Sequence, residues 1–121
     1  GPCAMEAKLL EAVQSSNAQE VAKILAAGAD PNVPDELGET PIFEATAVGH
    51  ADIVALLLMS RADPDYQSSQ GMVARQMALE STALLLDLCS GRCSDEDAWQ
   101  EGVSALSAPL RAAFARQFQV K

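Results

Sequence analysis

The sequence predicts an all-α fold in which helix–turn–helix units stack into a solenoid, followed by further helices at the C-terminus. The main observation is a repeat: the chain matches itself at an offset of 33 residues, a period typical of stacked helical units. The second observation is composition, since alanine and leucine, both strong helix formers, dominate and only five of the 121 residues are aromatic. A β-sandwich is therefore not expected.

The repeat is clearest when residues 9–32 are aligned with residues 42–65. Nine of the 24 positions are identical, and they include the Asp-Pro pairs at 30–31 and 63–64. Because the matches fall on helix-breaking residues as well as on alanine, composition alone does not explain them. Each unit is expected to contain two helices and a polar loop.

In the second unit, individual residues mark where each helix begins and ends. Thr40 places a hydroxyl at the N-cap and Pro41 fits the first helical position, so a helix is predicted over 41–48. Gly49 is expected to end it in the left-handed conformation. A second helix over 51–60 is expected to bury apolar side chains at helical spacing, namely Ile53, Val54, Leu57 and Leu58.

The same reasoning covers the whole chain. It predicts eight helices, at 6–14, 18–27, 41–48, 51–60, 73–80, 82–90, 95–105 and 109–118. The loops at 29–39 and 62–72 are expected to project in the same direction. Leu25 is placed in the core with the apolar residues of the fourth helix.

Residues 37–66 closely resemble an ankyrin repeat. TPIF at 40–43 stands where that family has a TPLH-like tetrapeptide, and a Gly-His pair at 49–50 joins the two helices. The endings GAD at 28–30 and RAD at 61–63 correspond to the family's GAD ending. The resemblance implies an ankyrin-repeat solenoid.

On this resemblance, residues 5–93 divide into three repeats, at about 5–36, 37–70 and 71–93. The third is degenerate, because Val73-Ala74 replaces Thr-Pro and the junction between its helices is shortened. Residues 1–4 are interpreted as the remnant of a cleaved affinity tag followed by a short tail. A chain that starts so close to a helix suggests a piece of a longer protein.

Residues 94–121 do not match the repeat. Ser94 followed by three acidic residues is a good helix start, and a last helix beginning near Pro109 carries three apolar side chains at helical spacing, Leu110, Phe114 and Phe118. These helices are expected to form a cap, because a terminal repeat otherwise exposes an apolar face. A partner-docking helix and a fragment of a larger domain are the alternatives.

The charge and hydropathy of the chain exclude several function classes. A formal net charge of −9 and a pI near 4.3 disfavour nucleic acid and anionic membrane surfaces as partners. The longest apolar run, residues 53–59, is too short to cross a bilayer. Three cysteines and no signal peptide indicate a reducing compartment, the cytoplasm or nucleus.

Catalytic and metal chemistry are not predicted. His50 is the only histidine, and the ankyrin resemblance implies a structural role for it; glycine-rich phosphate-binding motifs are missing from the sequence. Cys89 and Cys93, with Cys3, fall short of the four ligands that structural zinc usually has. They are interpreted as free thiols, with a regulatory disulfide or an adventitious metal site as alternatives. No cofactor is expected.

Residues 28–70 carry eight acidic residues and one basic residue, whereas residues 102–121 carry three basic residues and no acidic one. The acidic side chains lie in polar loops without a sugar-binding aromatic platform, so a paired-carboxylate active site is not favoured. Two interpretations stay open. The acidic region is either a solvated face or a recognition surface.

The family uses its loop tips and the concave side of its first helices for recognition, so the resemblance implies a set of protein-binding residues: Glu11, Glu36, Leu37, Glu39, Glu44, Ala47, Val48, Tyr66, Gln70, Met72 and Met77. Leu37, Val48 and the two methionines would form an apolar strip with acidic edges, with Glu36, Glu39 and Glu44 exposed; a core position for Met77 is the alternative.

The predicted function is a non-enzymatic module, a monomer rather than a dimer, that binds a basic and apolar segment of another protein. Alternatives are an inhibitory subunit that occludes an enzyme such as a kinase, and a structural or dimerisation unit that uses the C-terminal helices.

Overall fold

The computed structural model describes residues 4–89 and 96–118 of the chain. The regular secondary structure of these residues is entirely helical, without a strand, which confirms the all-α prediction. They form seven α-helices and one 3-10 turn: α1 Ala4–Gln14, α2 Ala18–Ala26, α3 Pro41–Val48, α4 Ala51–Met59, the 3-10 turn Ala74–Met77, α5 Glu80–Cys89, α6 Glu96–Val103 and α7 Ala108–Phe118.

The helices stack in two layers. The inner layer contains α1, α3 and the 3-10 turn, and the outer layer contains α2, α4 and α5. The core lies between the layers, and the four apolar residues predicted to be buried in α4 are at most 1% exposed. Leu25 differs from its prediction, because it is only partly buried at the edge of the core while Val21 and Ile24 fill the inward positions of α2.

Hydrogen bonds repeat at the 33-residue offset found in the sequence. Ser16 and Gly49 both have positive φ, 56° and 83°, and end the first helix of their units. The next residue caps the second helix: the Asn17 amide oxygen and His50 Nδ1 each accept a hydrogen bond from the backbone N–H three residues later, at 3.1 Å and 3.4 Å. His50 therefore has the structural role that the resemblance implied.

The loops repeat in the same way. Asp35 Oδ1 accepts from the backbone N–H groups two and four residues later, both at 2.9 Å, and Ser68 Oγ does the same at 3.3 Å. The Ser69 N–H donates to the Leu37 carbonyl at 3.1 Å. The two loops thus run side by side, as expected.

Asn32 joins the first two units at their outer corners. Its amide nitrogen donates to the Arg61 carbonyl at 3.0 Å, and its amide oxygen accepts from the Asp63 N–H at 2.7 Å. One side chain therefore fixes the end of α4 to the loop of the preceding unit.

The helix predicted over 73–80 is wrong. The chain forms only the 3-10 turn there, and α5 begins already at Glu80. The cause is a long-range contact: the Thr46 carbonyl, near the end of α3, accepts from the Leu79 N–H at 3.3 Å and lies 3.1 Å from Thr82 Oγ1. These bonds hold the start of α5 against α3. The segment before α5 is then too short to form the predicted α-helix.

A fork-shaped ion pair holds the 3-10 turn against α5. Arg75 Nε donates to Asp87 Oδ1 at 2.7 Å, and its Nη2 donates to Oδ2 at 2.8 Å. The hydrogen bond to Asp87 and its charge raise the pKa of Arg75 above its ordinary value. The turn in the inner layer is thus tied to α5 in the outer layer.

The predicted N-cap hydrogen bond of Thr40 is also wrong. Thr40 stands at the N-cap position with extended backbone, and its carbonyl accepts from the Phe43 N–H at 3.0 Å. Its hydroxyl, however, makes no cap hydrogen bond, and this buried atom has no hydrogen-bond partner among the described residues. Pro41 and the backbone alone start α3.

The C-terminal helices pack on the outer layer, α6 against α5 and α7 against α4. The Ser107 N–H, just before α7, donates to Asp52 Oδ1 at 2.9 Å, and Gln117 Nε2 donates to the Met59 carbonyl at 3.1 Å. Asp52 lies near the start of α4 and Met59 at its end, as Ser107 and Gln117 lie at the start and end of α7. The helices α4 and α7 therefore run in the same direction. Phe114, on α7, is fully buried.

Two aromatic contacts fill this layer. The ring centroids of Trp99 and Phe114 are 5.8 Å apart, and those of Phe114 and Phe118 are 4.7 Å apart. The apolar side of α7 thus packs against its own chain. The predicted helix start at Ser94 and the cysteines Cys3 and Cys93 lie outside the described residues.

Candidate functional site

A groove of about 660 Å³ opens between α1 and the loop 29–39. One wall is the face of α1 with side chains at helical spacing, and the other is the loop up to the start of α3. The lining residues are Glu6, Ala7, Leu10, Glu11, Gln14, Asp30, Val33, Pro34, Asp35, Glu36, Leu37 and Pro41.

The base of this groove is apolar. Leu10 and Val33 are half-buried, and Leu37 is 63% exposed at the rim. An exposed leucine beside a half-buried apolar surface is the kind of position that an apolar side chain of a partner covers. The volume lies within the range of clefts that hold ligands.

Five carboxylates surround the apolar base, and no lysine or arginine lines it. Three of them organise the walls: Glu6 Oε2 accepts from the Asp30 N–H at 3.1 Å, Asp30 Oδ1 accepts from the Asn32 N–H at 2.9 Å, and Asp35 accepts the two loop bonds described above. The Glu6 bond ties the loop to α1, and the other bonds fix the shape of the loop itself.

The other two carboxylates of the groove are Glu11, on the α1 wall, and Glu36, on the loop wall. Both side chains are exposed, and neither makes a hydrogen bond or ion pair with another described residue. The groove therefore offers one available carboxylate on each wall with apolar surface between them.

The predicted binding residues separate into groups in the structure. Glu11, Glu36 and Leu37 line the groove, and the exposed Gln70 lies on the neighbouring loop. Glu39 and Glu44 were expected to be exposed like Glu36, but both are partly buried.

Ala47 and Val48 lie at the far end of α3, about 10 Å along the helix axis from Pro41 in the groove wall. Val48 is 50% exposed, and Leu79, which the sequence reasoning missed, is 53% exposed. The methyl group of Leu79 lies over Gly49, where a Cβ would meet it at 2.5 Å. The single apolar strip expected from the sequence is thus two separate patches.

Tyr66, Met72 and Met77 are all half-buried. Tyr66 and Met77 pack against the edge of the core, so Met77 is neither fully buried nor freely exposed. The shortened third unit explains this, because its 3-10 turn lies where a full helix would present Met77 on the concave side.

Sequence reasoning also missed Ala7, Leu10 and Val33 in the groove. The spacing of Ala7, Leu10 and Glu11 along α1 was a usable signal, since residues three and four apart share a helix face. Val33 had no local signal, because only the packing of the loop on α1 brings it into the groove.

Chemically reactive groups lie elsewhere. In the described part of the chain, no three His, Cys, Asp or Glu side chains are grouped to hold a metal ion. Cys89 is a free thiol, and partial burial, with the nearby charge of Asp65, raises its pKa from 9.0 to about 11. None of the helices described here is long and apolar enough to span a membrane.

Comparison with known proteins gives matches over most of the repeat region. A family model described as ankyrin repeats, in three copies, matches residues 9–93. The mitochondrial disaggregase of Bos taurus is 34% identical over 88 residues, covering 70% of this chain but only 13% of that protein.

Two further relatives differ greatly in how much of their length is matched. SH3 and multiple ankyrin repeat domains protein 1 of Homo sapiens is 36% identical over 86 residues, covering 64% of this chain and 4% of that protein. Cyclin-dependent kinase 4 inhibitor B of Rattus norvegicus is 28% identical over 122 residues, covering 89% of this chain and 93% of that protein.

Proposed function

The chain belongs to the ankyrin-repeat family, whose fold is a protein-interaction module, and from this premise we propose that it binds a short basic and apolar segment of another protein without catalysing a reaction. The segment lies in the groove between α1 and the loop 29–39. The observation that carries this proposal is that Glu11 and Glu36 lie on opposite walls of an apolar groove that no lysine or arginine lines.

The apolar base and the two available carboxylates determine which side chains of the segment the groove contacts. An apolar side chain covers Leu37 and Leu10, while a lysine or arginine pairs with Glu11 or Glu36. Exposed charges mainly accelerate encounter, and desolvated apolar contacts govern dissociation. A single groove buries little area, so the affinity is expected to be of order micromolar.

Selection from a randomised library of short peptides tests the proposal. Peptides retained by the chain are expected to combine basic and apolar residues, and Leu37→Ser is expected to abolish retention. Leu79→Ser is the matched control, because Leu79 is similarly exposed but lies outside the groove. Retention of acidic peptides, or equal loss in both variants, would contradict binding in the groove.

A second candidate is inhibition of an enzyme such as a kinase. It is favoured by one observation, the alignment with a rat kinase inhibitor over 93% of that protein's length. Titration of the chain into a cyclin-dependent kinase assay tests it. Saturable loss of kinase activity would support this function, and unchanged activity at a large excess of the chain would exclude it for the kinase tested.

We further propose that α6 and α7 act as the cap of the repeat stack, and that the module works as a monomer in a reducing compartment such as the cytoplasm or nucleus. The cap is supported by the packing of α6 on α5 and of α7 on α4. The reducing compartment is supported by the free thiol of Cys89.

A further inference from the structure

The groove between α1 and the loop 29–39 combines available carboxylates with a loop in which the chain's own carboxylates bind four backbone N–H groups. We propose that the groove binds its basic and apolar segment only in the unphosphorylated form and releases it when a serine or threonine beside the basic residue is phosphorylated. This regulation rests on the proposed function, since it concerns the same groove and the same segment.

The first step is the occupancy of the loop's backbone donors. The N–H groups of Asp30 and Asn32 are bound by the carboxylates of Glu6 and Asp30, at 3.1 Å and 2.9 Å. Those of Leu37 and Glu39 are bound by Asp35, both at 2.9 Å. Backbone N–H groups are common ligands of phosphate, but here the chain's own carboxylates already occupy four of them.

The second step is the lack of a cationic partner. Phosphate in proteins is held by arginine and lysine, most strongly by forked pairs. The groove lining contains five carboxylates and no lysine or arginine. A phosphate group placed there would meet hydrogen-bond acceptors of its own sign.

The third step is the size of the repulsion. A phosphoserine adds a charge of about −1.5 to −2 at pH 7. Within the groove it would share the lining with the available carboxylates of Glu11 and Glu36. Like charges brought together in one interface oppose binding strongly, and we expect affinity to fall by at least about tenfold.

The experiment uses two matched libraries of short peptides with a fixed central residue, serine in one and phosphoserine in the other. The flanking positions are randomised over arginine, lysine, leucine, glycine and glutamate. Retention by the full chain is measured at low and physiological salt. The serine library is expected to be retained at least about tenfold more than the phosphoserine library, with a larger ratio at low salt.

Charge variants separate the groove from the overall charge of the protein. Glu11→Gln with Glu36→Gln is expected to lower the ratio between the libraries, because two of the five lining carboxylates then lose their charge. Glu20→Gln with Glu101→Gln removes the same charge outside this groove and is expected to keep the wild-type ratio.

The outcomes distinguish the two proposals. If the chain retains neither library above the Leu37→Ser variant, binding in the groove itself is refuted. If it retains both libraries equally, the segment binds but the groove does not discriminate against phosphate. If the control pair lowers the ratio as much as the groove pair, net charge and not the groove causes the discrimination.

Discussion

Single residues in this chain show where the repeat geometry is strained. Arg61 has φ of 72° at the end of the second unit, where the first unit has Gly28 with φ of 103°. For a residue with a Cβ, this left-handed conformation costs about 1–2 kcal/mol. The hydrogen bonds at both positions are equivalent, since each residue donates to the carbonyl three residues earlier.

Arg61→Gly is therefore expected to raise the free energy of unfolding by about 0.5–1 kcal/mol, after the greater freedom of glycine in the unfolded chain is subtracted. Urea denaturation measures this gain. Arg61→Ala removes the same charge but keeps the Cβ, so it should not stabilise the fold. Equal midpoints for the glycine variant and the wild type would show that the φ at Arg61 carries no strain.

Thr40 is a second residue that lowers the stability of the fold. Its hydroxyl is buried without a partner among the described residues, so Thr40→Val is expected to stabilise the chain by about 1 kcal/mol. The matched control is Thr46→Val, because the buried Thr46 hydroxyl donates to the Ile42 carbonyl at 2.8 Å and its loss should not stabilise. A lower denaturation midpoint for Thr40→Val would indicate that the hydroxyl is hydrogen-bonded after all.

The thiol of Cys89 gives a pH-dependent prediction. Its raised pKa, about 11 against an ordinary 9.0, means that the folded chain holds this proton more tightly than the unfolded chain. This contribution to stability is therefore lost between pH 9 and 11 as the pH rises. In a Cys3→Ser, Cys93→Ser background, alkylation of the native protein by iodoacetamide should reach half its maximal rate near pH 11; a midpoint near 9 would contradict the burial of the thiol.

At the scale of elements, the two loops differ in what covers them. Gly38 and Gly71 occupy equivalent positions with φ of 76° and 78°. A Cβ on Gly38 would meet the Ser69 backbone nitrogen at 2.6 Å, while a Cβ on Gly71 would meet no described atom within 4 Å. The first loop is thus covered by the second, and the second is open at this glycine.

This difference separates backbone strain from packing. Gly71→Ala is expected to cost about 1 kcal/mol from the positive φ alone. Gly38→Ala should cost roughly 1–3 kcal/mol more, because the backbone of the next loop has to move. Chemical denaturation of the two variants measures the difference. Equal losses would mean that the loops do not pack as closely as described.

The sequence predicted those elements whose signals are local. Pro41 and Gly49 mark the ends of α3 correctly, and the apolar spacing of α4 identifies its buried face. The 3-10 turn was not predictable in this way, because it depends on Thr82 reaching the Thr46 carbonyl 36 residues away. The position of α7 likewise depends on contacts with α4, more than 50 residues apart in the chain.

The residues of the candidate site likewise divide into those with a local sequence signal and those placed by long-range packing. Glu36 and Leu37 were found because the family pattern places them at a loop tip. Val33 lies in the groove only because the loop packs on α1. Leu79 is exposed because the third unit lost its inner helix, for which the missing Thr-Pro pair was the available sequence signal.

At the scale of the whole molecule, the C-terminal helices determine whether the stack is stable alone. Deletion of residues 95–121 removes the buried Trp99 and Phe114 and uncovers the outer sides of α4 and α5. The shortened chain is expected to aggregate or to lose cooperative unfolding, as light scattering and thermal denaturation would show.

The point variant Phe114→Ala, expected to cost about 3–5 kcal/mol, serves as a milder comparison to the deletion. A truncated chain that stays monomeric and equally stable, but no longer binds its partner, would assign the tail to recognition. A full-length chain that is dimeric by light scattering, and monomeric after the deletion, would support the dimerisation alternative.

The parallel course of α7 and α4 also has a mechanical consequence. A pull on the C-terminal end of α7 first loads the bond from Gln117 to the Met59 carbonyl, while the Ser107 bond to Asp52 is still shielded by the length of the helix. Load therefore reaches the two attachments one after the other. When force is applied at the C-terminal end of α7, this helix should detach from α4 turn by turn, starting at Gln117.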